Sequence, residues 1–321
     1  MFAVFAARLD ADDPLSGLEL GDRPEPVVPD GWTVVTVKAA SLNHHDLWSL
    51  RGIGLREEQL PVILGCDAAG IDEDGNEVVV HAVVSDPDWR ADETMDPRRS
   101  LLSESYPGTF AERVAVPRRN AVPKPEGLSF EEAACLPTAW LTAYRMLFTR
   151  AGVAPGATVL VQGAGGGVAT ALIVLGSAAG LRVWATSRSE EKRARALELG
   201  ADQVFDVGAR LPERVDAVME NVGAATWSHS LRSLKPGGTV VVCGATSGAD
   251  PPAGLNRVFY LQLSVVGSTM GTRDELTRLV RFCVDKDVRP VIGQTLPLRD
   301  ARDGFEAMDR GDVFGKIVFT P

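Results

Sequence analysis

Residues 158–180 read TVLVQGAGGGVATALIVLGSAAG. The apolar run TVLVQ has the make-up of a strand and passes without a linker into a glycine-rich turn that opens a helix. Glycines permit positive φ and let the backbone come close to a pyrophosphate, whose charge then meets the unpaired amides at a helix N-terminus. A bare glycine run would say little. Placed between a strand and a helix, inside a βαβ unit, it reads as a dinucleotide-binding turn, with Gly163, Gly166, Gly167 and Val168 as its expected contacts.

Strands and helices alternate from the turn onward. LRVWATS (181–187), ADQVFD (201–206), VDAVMENVG (215–223), PGGTVVVCG (236–244) and LSVVGS (263–268) read as strands, with EEKRARALELG and TWSHSLRSLK as helices between them. The middle strands are continuous apolar runs, as parallel strands covered on both faces should be. A doubly wound parallel sheet follows. Upstream the pattern differs: GWTVVTVKAASL (31–42), NEVVVHAVV (76–84) and FAERVAVP (110–117) are short strands, and the polar, proline-punctuated segment 85–108 is a surface loop. The pattern changes near residue 123, where Ser129 followed by Glu132 forms a capping box and starts a helix of about five turns. The expected division is a mostly β domain over 1–122, a dinucleotide-binding domain over 123–285, and a closing segment 286–321 that returns to the first domain.

The 321 residues are 45% hydrophobic and 24% charged, an ordinary globular composition, and carry a net charge of -10. That balance disfavours a nucleic-acid surface and favours small-molecule partners. The N-terminus MFAVFAARLD lacks a basic n-region, and no stretch is long enough to span a bilayer, so a cytoplasmic address without membrane association is expected. Cys66, Cys135, Cys243 and Cys283 form no C-x-x-C pair, which gives neither a disulfide framework nor a zinc ribbon.

The end of the second strand of the alternating region selects the dinucleotide. NAD sites place an Asp or Glu there for the ribose 2'-hydroxyl. This chain has Ser187 and Arg188, with Lys192 one turn into the next helix. A hydroxyl, a guanidinium and an ammonium all suit a 2'-phosphate, so the expected cofactor is NADPH. The competing reading is a solvated basic helix start paired with Glu190 and Glu191.

NHHD, LPVILGCDAAG, GTFAERVAVP, LPTAWLTAYRML, GAGGGVA, EEKRARALELGAD, LKPGGTVVVCG and GKIVF, in this order and spacing, resemble the medium-chain dehydrogenase/reductase superfamily over nearly the whole chain. Gly163, Gly166 and Ala169 fit the turn of its quinone-reductase-like members, with Ala in the last place. The resemblance implies an α/β fold, a GroES-like catalytic β domain plus a Rossmann domain. The family's three catalytic-zinc positions fall on Asn43, Cys66 and Thr138, and the segment matching its structural-zinc lobe, 85–108, has no cysteine. One thiol with an amide and a hydroxyl coordinates zinc poorly, so no metal is expected; a site improvised from His44, His45, Cys66 and Asp67 is the rival.

Without zinc there is no Lewis acid to polarise a simple carbonyl, and an electrophilic acceptor is expected, a quinone or an α,β-unsaturated carbonyl. By resemblance, Asn43 stands near the nicotinamide as a donor. His45 falls where zinc members keep a proton relay, and its plainer role is to hydrogen-bond Asp46, which supports the loop. Trp48, Cys66, Thr138 and Trp140 are the candidate substrate pocket, although such tryptophans also serve as core. The resemblance further assigns Thr142, Val222, Gly244, Ala245, Ser268 and Lys316 to the cofactor, with Lys316 reaching its phosphates or ribose. LSVVGS at the sheet edge implies a homodimer. Two other functions stay open: a zinc alcohol dehydrogenase with atypical ligands, and an NADPH-binding sensor without turnover.

Overall fold

A computed structural model describes all 321 residues. The chain forms two compact units, Met1–Leu141 together with Met270–Pro321, and Thr142–Thr269. These limits correct the expected boundaries at 123 and 285. Helix Phe130–Ala134 belongs to the β unit because it packs on strands Trp32–Ser41 and Asp67–Asp72, with Ser41 Oγ 3.0 Å from Ala134 O. Helix Arg273–Asp285 does so because Glu93 Oε1 accepts from Arg273 N at 2.8 Å and Nε at 3.0 Å.

In the second unit we label the strands β1 Thr158–Val161, β2 Arg182–Thr186, β3 Gln203–Phe205, β4 Val215–Glu220, β5 Leu234–Val242 and β6 Ser264–Gly267. They form one parallel sheet in the order β3-β2-β1-β4-β5-β6. The order reverses beside β1, and in such sheets ligands bind at the carboxyl ends of the strands at that switch point. Leu160, Trp184, Val218 and Val240 build the core on the sheet. Helix Gly167–Ala178 lies close against it because Gly176 has no side chain: a Cβ there would stand 2.8 Å from Val183 Cγ2.

The first unit is built on a larger sheet in which Trp32–Ser41 pairs antiparallel with Asp67–Asp72, Arg113–Pro117 and Lys316–Thr320. Strand Ile292–Pro297 extends it in parallel beside Lys316–Thr320. Phe110, Phe305 and Phe319 lie at the centre of the core, with ring centroids 5.2 to 6.4 Å apart. The Ser129 box forms as expected: its Oγ accepts from Glu132 N at 3.1 Å, and Glu132 Oε2 accepts from Ser129 N at 2.8 Å. The helix it starts is not uniform. Wide i→i+5 turns span Leu136–Trp140 and Arg145–Arg150, the first containing Pro137, which has no N–H for the regular ladder.

Candidate active site

Helix His44–Leu50 begins at Asn43, directly after strand Trp32–Ser41. Asp46 fixes that start: Oδ2 accepts from Asn43 N at 2.9 Å, and Oδ1 accepts from Gly65 N at 3.1 Å. One buried carboxylate therefore joins the NHHD stretch to the GCD turn. Burial pushes the Asp46 carboxyl up to about 6, against the pull of His45, the Asn43 N–H and Lys316, while Asp67 adds to the rise.

That shift has a sign. Because the folded value lies above the unfolded one of about 4, the contribution of Asp46 to stability is full below pH 4 and is lost as pH rises through about 6. The loss amounts to roughly 3 kcal/mol. Asp46→Asn does not titrate, so its denaturation free energy, measured from pH 4 to 7.5, should fall less steeply than that of the native chain. Parallel slopes would refute the assignment.

Asn43 is not the free donor expected for substrate or cofactor. Its Nδ2 donates to Asp67 Oδ2 at 2.8 Å and Ser41 O at 3.3 Å, and its Oδ1 accepts from Lys316 Nζ at 2.5 Å. Lys316 is corrected with it. Its ammonium is buried, also donates to Leu42 O at 2.8 Å, and stands 3.4 Å from Asp67 Oδ2, so it is an internal counter-ion and not a phosphate contact. Trp140 is likewise corrected from pocket wall to core, being fully buried.

His45 is partly exposed and bridges two groups. Its Nε2 lies 3.1 Å from Glu104 Oε1 and its Nδ1 lies 3.5 Å from Cys66 Sγ. Burial opposes a charge on His45, yet Cys66 and Glu104 outweigh it and hold the ring well above its ordinary value. Cys66 is fully buried, its thiol pushed up by burial, and Sγ donates to Leu102 O at 3.3 Å. Being covered, it does not line an open pocket. Trp48 is half-buried, with its ring centroid 6.5 Å from that of His44.

The donors at the zinc positions do not fit that metal. The Asn43 carbonyl already receives an ammonium and Thr138 contributes a buried hydroxyl without a partner, which leaves the covered Cys66 sulfur as the one strong donor of the three. A cation of the protein's own therefore touches the amide that replaces a ligand. A different trio, His45, Asp46 and Cys66, presents ligand atoms within 4.8 Å of one another. His44 and Asp67 of the improvised set lie outside this trio.

The second unit offers a dinucleotide cradle. Gly163 has φ +87, a region side chains avoid, and helix Gly167–Ala178 begins at Gly166 without a side-chain cap, leaving its first N–H groups for an anion. Lys192 lies across the turn, its Nζ 3.3 Å from where a Cβ on Gly165 would be. Arg188 is exposed, whereas Ser187 Oγ accepts from Ser189 N at 3.2 Å. No acid ends β2. Val222, Gly244 and Ala245 lie in interlocked turns after β4 and β5, where Ser247 N donates to Val222 O at 2.7 Å. Ser268 N donates to Val242 O at 2.8 Å, and its Oγ is buried without a partner; Thr142, at the first residue of this unit, is nearly buried. The Gly163 turn and the uncapped helix start fit the pyrophosphate of a dinucleotide.

Sequence reasoning missed Glu104, which lies 59 residues from His45 in an irregular loop, and Glu220, whose place at the end of an apolar strand was the available signal.

Residues 167–285 match the family model described as zinc-binding dehydrogenase, and residues 29–126 match the alcohol dehydrogenase GroES-like domain. The chain is 31% identical to the zinc-type alcohol dehydrogenase-like protein YogA of Leptosphaeria maculans, over 94% of each chain. It is 29% identical to an acryloyl-coenzyme A reductase of Sulfurisphaera tokodaii, over 96% of this chain and 98% of that one. A crystal structure of an NAD-dependent alcohol dehydrogenase superposes with a TM-score of 0.92 at 35% identity, covering 100% of both chains.

Proposed function

The chain belongs to the medium-chain dehydrogenase/reductase superfamily, and on that premise we propose that it is an NADPH-dependent, zinc-independent reductase of quinones or α,β-unsaturated carbonyl compounds. The observation that carries this reading is the Lys316 ammonium on the Asn43 carbonyl, at a position where zinc members keep a metal ligand. Hydride delivered to a conjugated β-carbon leaves an enolate, which needs a proton and hydrogen bonds more than a Lewis acid. The likeness to an acryloyl-coenzyme A reductase, named for a conjugated acyl group, supports that substrate class.

NADPH, when bound, supplies the hydride. The glycine turn and the uncapped helix start would hold its pyrophosphate, and Arg188 and Lys192 would hold its 2'-phosphate. His45 gives up the proton that balances the hydride, and Glu104, itself partly exposed, restores it from water.

Purified protein should oxidise NADPH with a simple enone or quinone at a rate unchanged by a strong chelator. His45→Gln should lower kcat by about a hundredfold. A flat response across such acceptors would defeat the proposal.

The His45, Asp46 and Cys66 trio favours a second reading, a zinc alcohol dehydrogenase with atypical ligands. Elemental analysis separates the two: zinc at one per chain, lost in Cys66→Ser, would replace the first reading with the second.

We further propose a homodimer through β6. This strand ends the sheet, Val265 on it is 50% exposed, and Phe259 and Tyr260 just before it are 68% and 79% exposed. Unpaired strand groups beside exposed aromatics invite a second copy. Val265→Lys with Tyr260→Lys should give a monomer by light scattering; a native chain that is already monomeric refutes the dimer.

A further inference from the structure

Glu220, the last residue of β4, is fully buried and fully engaged. Its Oε1 accepts from Val222 N at 2.9 Å, Gly223 N at 3.0 Å and Thr226 Oγ1 at 2.8 Å, and its Oε2 accepts from Ser230 Oγ at 2.5 Å. Two backbone amides of one turn thus converge on a single carboxylate oxygen.

The bonds continue beyond Ser230. Its hydroxyl accepts from Gln162 Nε2 at 2.9 Å, Gln162 Oε1 accepts from Thr186 Oγ1 at 2.8 Å, and Thr186 Oγ1 accepts from Gly163 N at 3.2 Å. The second Gln162 N–H meets His229 Nδ1 at 3.0 Å; His229 Nε2 faces Ala209 O at 2.8 Å, which makes Nε2 the protonated nitrogen and Nδ1 an acceptor. Every donor therefore has a direction. The run from Ser230 can end only on a group that accepts without donating, and Glu220 is that group.

Apart from Ser230 and His229 on helix Ala224–Ser233, its members stand at the carboxyl ends of β1, β2 and β4: Gln162 and Gly163 after β1, Thr186 closing β2, and Glu220 closing β4 with Val222 and Gly223 after it. That edge is where an open α/β sheet binds its ligand. We propose that Glu220 is a positioning residue for the dinucleotide, holding the Gly163 turn and the Val222–Gly223 turn in one register through Ser230, Gln162 and Thr186. This inference rests on the reading of the second unit as a nucleotide site. It adds that the two turns are set jointly.

Glu220→Gln keeps the shape but has one acceptor oxygen where Glu220 has two, so either the Ser230 hydroxyl or the Val222 and Gly223 amides lose their acceptor. Thr186→Val removes the acceptor of Gly163 N at the other end. Fluorescence titration of the full chain should show the NADPH Kd raised about tenfold in each variant. The double variant should stay within about threefold of the weaker single, because the second change acts on a run already broken. The acceptor KM and the kcat at saturating NADPH should move less than about twofold, and Ser230→Ala, which cuts the run in the middle without touching either turn, should raise the NADPH Kd in the same direction. A purely structural Glu220 would lower the thermal midpoint with Kd unchanged; that outcome, or independent effects multiplying to about a hundredfold in the double variant, overturns the inference. If the native chain binds neither NADPH nor NADH, the nucleotide reading itself fails, and this inference fails with it.

Discussion

Lys316→Met is expected to destabilise the protein by roughly 3–5 kcal/mol, the cost of leaving a buried charge without its counter-ion. The Lys316 side chain is 3% exposed and that of Asp67 0%. Removing it strips Asp67 of its cation and leaves the Asn43 and Leu42 carbonyls each short of a donor. Urea denaturation measures the loss, and Lys316→Met combined with Asp67→Asn should recover part of it, because the orphaned charge disappears as well. A single-variant loss below about 1 kcal/mol would mean that the ammonium is hydrated and that the pair has the small worth of a surface contact. The same ammonium carries the argument against zinc, so the measurement bears on chemistry as well as on folding.

The second large effect concerns cofactor choice. Arg188→Glu with Lys192→Ala should lower kcat/KM for NADPH by about a hundredfold or more, since each charge-assisted bond to a phosphate contributes about 1.5–3 kcal/mol. The value for NADH should stay within about threefold, because a ribose hydroxyl draws little from either cation. An equal fall for both cofactors would show that the two side chains serve the pyrophosphate or the helix start, and that the 2'-phosphate is not what they read.

The two units were unequally legible in the sequence. The second could be read almost strand by strand, because a glycine turn states a local backbone demand and buried parallel strands state theirs as apolar runs. Its boundary could not, since the apolar spacing of the helical run through Leu141 is continuous and only packing on Ser41 and Asp67–Asp72 assigns the first half to the other unit. In the site, the sequence marks Asp46 as support for its loop, but its grip on Gly65 spans 19 residues and has no pattern. The family positions of Asn43 and Lys316 point to ligand contacts, and the structure instead joins them to each other across 273 residues. Long-range polar pairing of this kind has no period, and periodicity is what a single sequence displays.

The interrupted first unit bears on how the protein is made. The second unit is one unbroken stretch, Thr142–Thr269, so its sheet is complete in sequence before the ribosome reaches Met270. The first unit is still missing Ile292–Pro297 and Lys316–Thr320, including Phe319 of its core. The earlier-synthesised half must therefore wait, with only the Ala40–Ser41 end of strand Trp32–Ser41 lacking a neighbour on the side that Lys316–Thr320 will cover, until that strand emerges. During synthesis the core that Phe305 and Phe319 will later fill stays open, and that apolar surface is what a chaperone would cover.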